Sequence, residues 1–281
     1  MTALLALEPA GPDRFLAPGL EGEARRSFGG HLVGQALAAA TGTVDPQRRV
    51  HSLHAYFIRS GVTTIPTEFV VTPDSDGSNL SFRRVAAVQD GQVLITLSAS
   101  FQAPHDGDEH QIAMPEAPPP ETLDDDFLRA ERMAAIPPEA LALVRRASPL
   151  QFRSPWPEQR LGTGPAPALQ NFWFRTAAPF EGDQAFHRIV LAYASDVMLL
   201  GAGLMPHGMR WFDGQARISS IDHALWIHRD VRMDDWLFYT QESPWSGEGR
   251  NFNRGHIFDR AGRLIATVAQ EGLMRRPQPA A

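Results

Sequence analysis

Asp196, Ser220 and Gln270 are a carboxylate, a hydroxyl and an amide whose types together suit the handling of one water molecule. A carboxylate can take the proton of a water as it attacks, while a hydroxyl and an amide hold that water in place. Asp has a reference pKa of about 3.9 and is a weak base, so it needs such partners. Each residue also has a plainer reading. Ser195-Asp196 before Val197-Met198-Leu199-Leu200 reads as a helix start, with Asp196 as its cap or first-turn acid. Gln270 can be a strand-end residue reaching solvent. Asp222, two residues past Ser220 and on the same strand face, is a rival carboxylate or a structural partner for an arginine.

Composition removes many other chemistries. The 281 residues include no Cys, and all 26 basic residues are Arg, so there is no Lys. That excludes a thiolate nucleophile, a zinc ribbon, a disulfide framework, a Schiff-base lysine and a Walker-type phosphate loop. The formal net charge of −6 argues against a dedicated nucleic-acid binder. No Gly-x-Ser-x-Gly elbow occurs. His51 and His54 are three apart and His223 and His228 five apart, so on strands each pair faces opposite sides and does not chelate a metal. Gly201-Ala202-Gly203 lacks the third glycine of a dinucleotide loop. Arg59, Arg83, Arg84, Arg250 and Arg254 could clamp phosphates bidentately, although scattered surface arginine explains them equally simply. The N-terminal Met1–Leu7 run lacks a cationic lead and is too short for a signal peptide, and no run reaches the ~20 apolar residues of a membrane span. A soluble, cytoplasmic protein is the expectation.

The elements that must position these residues come in two similar sets. In the first half, Phe28–Ala40 has one apolar stripe and reads as a helix, with Gly34 and several alanines allowing close packing on a sheet. Strands are expected at His51–Arg59, Thr67–Thr72, Asn79–Gln89 and Gln92–Gln102, separated by turn signals such as Asp90-Gly91. In the second half a helix is expected from about Ser195, followed by strands at Ala216–His228, Trp236–Ser243, Asn251–Phe258 and Leu264–Glu271. His54-Ala55 recurs as His223-Ala224, Phe82 and Arg84 recur as Phe252 and Arg254, and Gly91 recurs as Gly262 at nearly constant spacing.

Between the halves lies a proline-rich, initially acidic stretch with two short helix candidates, Asp124–Ile136 and a second after Pro137-Pro138 that carries Leu141, Val144 and Arg145. The expected organisation is an N-terminal repeat over residues 1–104, a connection over 105–167, and a C-terminal repeat over 168–281. A duplicated scaffold needs its reacting site in one copy only. The first helix start carries no carboxylate. His51 stands opposite Ser220 in the repeat, and Ala99 or Ser100 opposite Gln270.

Five segments carry a family resemblance: Phe28–Leu37, Arg83–Gly91, Tyr193–Asp196, Ser220–Trp226 and Val268–Gly272. Together they resemble the type II acyl-CoA thioesterases, over roughly Phe28 to Arg275. The resemblance implies an α+β double hotdog, two tandem repeats each with a long helix wrapped by an antiparallel sheet. It implies hydrolysis of fatty acyl-CoA thioesters to free acid and CoA, with no cofactor or metal. The family's catalytic Asp, Ser/Thr and Gln fall on Asp196, Ser220 and Gln270, and Asp222 belongs to the motif without being catalytic.

On that basis a water held by the three attacks the thioester carbonyl directly. The N-terminal N–H groups of the helix near Asp196, with Gln270, are the expected oxyanion donors. The CoA phosphates are expected near Arg59, Arg83, Arg84 or Arg254, and a homo-oligomer, dimer or higher, is expected by resemblance. A hotdog hydratase or dehydratase and a non-catalytic acyl-CoA-binding module are the rival readings. The former generally wants an Asp–His or Glu–His pair, and His207 is the only His soon after Asp196.

Overall fold

Burial alternates along Leu80–Gln89, with Ser81, Arg83, Val85, Ala87 and Gln89 turned inward, which is the period of a strand covered on one face. Strands of this kind dominate the computed structural model, which describes residues 1–22, 24–133, 136, 138–139, 141 and 148–276. In chain order the first half holds helix α1 (Thr2–Leu5), strands β1 (Glu8–Gly11) and β2 (Arg14–Ala17), and helix α2 (Gly29–Thr41). Strands β3 (Arg49–Phe57), β4 (Thr67–Asp76), β5 (Leu80–Gln89) and β6 (Gln92–Gln102) follow. The middle contributes α3 (Asp126–Arg132), β7 (Leu150–Arg153) and α4 (Pro157–Leu161). Next come β8 (Leu169–Thr176), α5 (Gln184–Ser195) and a 3₁₀ helix over Leu199–His207. The chain closes with β9 (Arg217–Ser220), β10 (Asp222–Ile227), β11 (Leu237–Gly247), β12 (Arg250–Phe258) and β13 (Leu264–Arg275). The architecture is α+β, as the repeat pattern requires.

Two compact units result, each drawn from separate stretches of chain. The first comprises Met1–His110, Phe180–Val197 and Ile221–Val231. Its strands form an antiparallel sheet in the order β1-β2-β4-β5-β6-β3-β10, with His223 opposite Ala55 and Leu53 opposite Ala99. Helix α2 packs on this sheet and against α5; Leu32, Val33, Ala36 and Leu37 are its buried stripe.

The second unit comprises Gln111–Pro179, Met198–Ser220 and Arg232–Ala281. Its antiparallel order is β9-β13-β12-β11-β8-β7, and the 3₁₀ helix lies against β11, β12 and β13. Trp173, Trp236, Phe238 and Phe258 form one apolar cluster there, and Ala130, Ile136, Leu141 and Leu161 another.

Two sequence expectations need correction. The helix expected from Ser195 onward instead ends there. Asp183, a stronger start signal twelve residues earlier, caps α5 by accepting the Phe186 N–H at 2.9 Å, and Asp196 is the C-cap. The single strand expected over 216–228 is two strands, because β9 pairs with β13 while β10 pairs with β3. In the connection, the first helix candidate is α3, capped by Asp125. Val144 and Arg145 of the second candidate lie outside the described residues. Gln184–His207 is long and apolar enough to cross a bilayer by composition alone, but 78% of its apolar window is buried inside the protein, as in a core helix.

Candidate active site

Asp196 owes its position to the end of α5. Ile189 to Ser195 are all buried, so the helix is locked on every side, and the Ser195 hydroxyl donates to the Ala192 carbonyl at 2.9 Å. The same hydroxyl lies 2.8 Å from His223 Nε2. The Asp196 carboxylate, 8% exposed, accepts the Gly30 N–H at 2.7 Å through Oδ2. Gly30 stands in the first turn of α2, which carries no acid of its own. Asp196 supplies the negative charge that such a helix end favours.

Glycine is required at this approach. A Cβ on Gly29 would sit 2.8 Å from Asp196 Oδ2, and one on Gly30 would sit 2.3 Å from the Tyr193 carbonyl oxygen. The Tyr193 phenol has its pKa pushed well above the ordinary value, first by burial and then by the Asp196 charge.

The expected oxyanion donors need a correction that follows from the cap. The free N–H groups of α5 lie at its Gln184 end, because Asp183 and not Asp196 begins the helix. The backbone N–H that meets Asp196 belongs to α2.

Ser220 and Gln270, fifty residues apart, come together in the second unit. Gln270 is wholly buried on β13, on the face it shares with Ala266 and Val268, and its Nε2 donates to Ser220 Oγ at 2.7 Å. Ser220 ends β9 opposite Gly272. In the first unit His51 Nε2 lies 2.8 Å from Ser100 Oγ. The strand registers settle the repeat's match to Gln270: Arg83 stands opposite Ala99 as Asn253 stands opposite Gln270, so Ala99 takes that place. Burial, and then the Arg188 charge, lower the His51 pKa. Asp222 stands on β10 opposite Tyr56, on a different strand from Ser220.

The four arginines are placed differently from one another. Arg83 is buried at 3% exposure and donates to Thr43, Ser75, Phe82 and Asp76. Those bonds tie strand β5 to the end of α2. Arg84 is bidentate with Asp74, and Arg254 donates to Glu242 at 2.5 Å. Arg59 is exposed, donates to the Val93 carbonyl at 3.1 Å, and makes no ion pair among the described residues. Among the described residues no three His, Asp or Glu side chains converge as metal ligands do.

Sequence reasoning missed Gly29-Gly30 as the anchor of Asp196. The available signal was two successive glycines opening an otherwise apolar helix.

Residues 17–102 match the family model described as the acyl-CoA thioesterase N-terminal domain, and residues 146–273 match the acyl-CoA thioesterase model. Human acyl-coenzyme A thioesterase 8 is 37% identical over 99% of this chain and 90% of its own length. The chain belongs to the acyl-CoA thioesterase family. The crystal structure of an acyl-CoA thioesterase II from Mycobacterium marinum superposes on this thioesterase with a TM-score of 0.80, at 38% identity, covering 99% of this chain and 98% of that one. A hot dog protein from Alicyclobacillus acidocaldarius, 18% identical, shares the fold at a TM-score of 0.75 over 99% and 98% of the two chains. This thioesterase is a double hotdog. Asp196, Ser220 and Gln270 all fall within the second matched region, and His51 and Ser100 within the first.

Proposed function

We propose that this thioesterase hydrolyses acyl-CoA thioesters by direct attack of a water held by Asp196, Ser220 and Gln270. The bond from Gln270 to Ser220 carries the reading. A wholly buried amide needs a partner, and this one meets a hydroxyl contributed by a different strand, so the amide and hydroxyl that the reading requires are held side by side.

Asp196 takes one proton of the water as its oxygen bonds to the thioester carbon. The tetrahedral intermediate then expels the CoA sulfur as a thiolate. A thiol pKa of about 8.5 makes this a good leaving group, and the proton on Asp196 neutralises it or passes to solvent. No covalent acyl-enzyme is needed, which fits a chain without Cys. Of the four arginines considered, Arg59, exposed and without a carboxylate partner among the described residues, is the one best suited to a CoA phosphate.

The experiment is release of free thiol from a ladder of saturated acyl-CoA substrates. A saturated chain offers no double bond to hydrate, so thiol release from it separates hydrolysis from hydratase chemistry. Tight retention of ligand without thiol release would mark a binding module instead.

A further inference from the structure

The turn after Asp196 is one that no residue type announces. Met198 has φ +63° and ψ 2°, in the left-handed region that a residue with a Cβ occupies only when its surroundings hold it.

Those surroundings are buried and polar. Gln170 Nε2 on β8 donates to the Met198 carbonyl at 2.7 Å and to Gln241 Oε1 on β11 at 2.5 Å. Arg160, buried and paired with Asp126 at 2.6 Å, donates to Met198 Sδ at 2.7 Å. Two residues further on, Asn251 Nδ2 on β12 donates to the Leu200 carbonyl at 3.4 Å. Gln170, Gln241 and Asn251 are at most 3% exposed. Burying three amides against one sheet face costs stability that apolar residues would not, so an exact geometry is the return.

Gly201-Ala202-Gly203, which had no chemistry of its own, fits here. A Cβ on Gly203 would lie 2.2 Å from Asn251 Nδ2, and one on Gly201 would lie 3.2 Å from Gln170 Nε2. The glycines are the clearance through which the amides reach the backbone.

We propose that Gln170 is a positioning residue for Asp196. By holding the Met198 carbonyl it fixes the left-handed turn at which α5 ends, and with it the carboxylate two residues upstream. This rests on the reading of Asp196 as the base.

The test compares kcat and KM on a saturated acyl-CoA for the parent, Gln170→Met, Met198→Gly and the double variant. Misplacing a reacting group by about 1 Å costs up to roughly 10²-fold. Gln170→Met is expected to lower kcat about tenfold within that limit while KM stays within about twofold. Glycine adopts the left-handed turn without strain, so the same replacement in the Met198→Gly background should cost less. Should Gln170→Met not fold, Gly201→Ala asks the same question by pressing on the Gln170 amide, and a fall in kcat at constant KM is again expected. Parental kcat in whichever of these variants folds, a loss confined to KM, or equal losses in both Met198 backgrounds would overturn the proposal. Asp196→Asn is measured alongside: if it keeps parental kcat, the reading of the base fails, whereas an inactive Asp196→Asn beside a fully active Gln170→Met defeats only the positioning role.

Discussion

The Gln270 amide donates to the Ser220 hydroxyl at 2.7 Å in one unit, as His51 meets Ser100 at 2.8 Å in the other. His51 takes the place of Ser220 in the repeat, but the register sets Ala99 where Gln270 stands, so the amide belongs to the second unit alone. A hydroxyl and an amide offer water both a donor and an acceptor without titrating near neutral pH, whereas the first pair carries an imidazole.

Ser220→Ala and Gln270→Ala should each lower kcat about tenfold or more, within the 10²–10⁴-fold that general-base assistance supplies. The double variant should lose far less than the product of the two, because both hold one water. Steady-state kinetics of the cycle check this; fully multiplicative losses would show two independent roles.

Gly29→Ala separates helix propensity from the site. Alanine ordinarily favours a helix over glycine by roughly 0.5–1 kcal/mol. Here the added Cβ meets Asp196 Oδ2 at 2.8 Å and the Phe57 ring at 3.1 Å. The expected outcome is a loss of kcat that exceeds any loss of thermal stability, read from kinetics and a melting curve on the same sample.

Much of this framework is legible in the residues. Asp90-Gly91 between alternating strands gives a two-residue hairpin, and both residues take positive φ as that turn requires. Comparison of the halves isolated Ser220 and Gln270 because a polar change inside a matched apolar scaffold is visible without coordinates. The end of α5 was not legible. Ser195-Asp196 before an apolar run looks the same whether a helix begins or stops there, and the deciding groups, Asp183 and the left-handed Met198, lie on either side. The clamp on Met198 was also hidden, since Gln170 and Asn251 act on backbone carbonyls that carry no residue signature.

His31, His51 and His256 all have pKa values lowered from 6.5, with burial the first cause in each. At these three sites the unfolded chain therefore binds more protons than the folded one as pH falls through about 6.5, so stability is lost as pH is lowered there. Melting temperature should drop between about pH 7 and 5, where carboxylates remain ionised. His31→Gln, which keeps a donor for the Leu4 carbonyl, should flatten the slope. A slope unchanged by that replacement would remove His31 from the account.

Asp126 and Arg160 form an ion pair at 2.6 Å with both side chains under a tenth exposed, and Asp126 also accepts from the Ser154 N–H and hydroxyl. Removing one partner leaves the other charge buried. Asp126→Leu should cost about 3–5 kcal/mol in urea unfolding, and adding Arg160→Met should recover part of it. A loss under about 1 kcal/mol would mean the pair behaves like an exposed one.

The most direct measurement is kcat/KM for saturated acyl-CoA hydrolysis by Asp196→Asn beside the parent. The substitution keeps the side chain's size and an oxygen for the Gly30 N–H while removing the base. The expected result is a fall on the order of 10² or more, carried by kcat with substrate affinity little changed. Hydrolysis by Asp196→Asn at the parental rate would contradict the assignment of this carboxylate as the group that takes the water's proton.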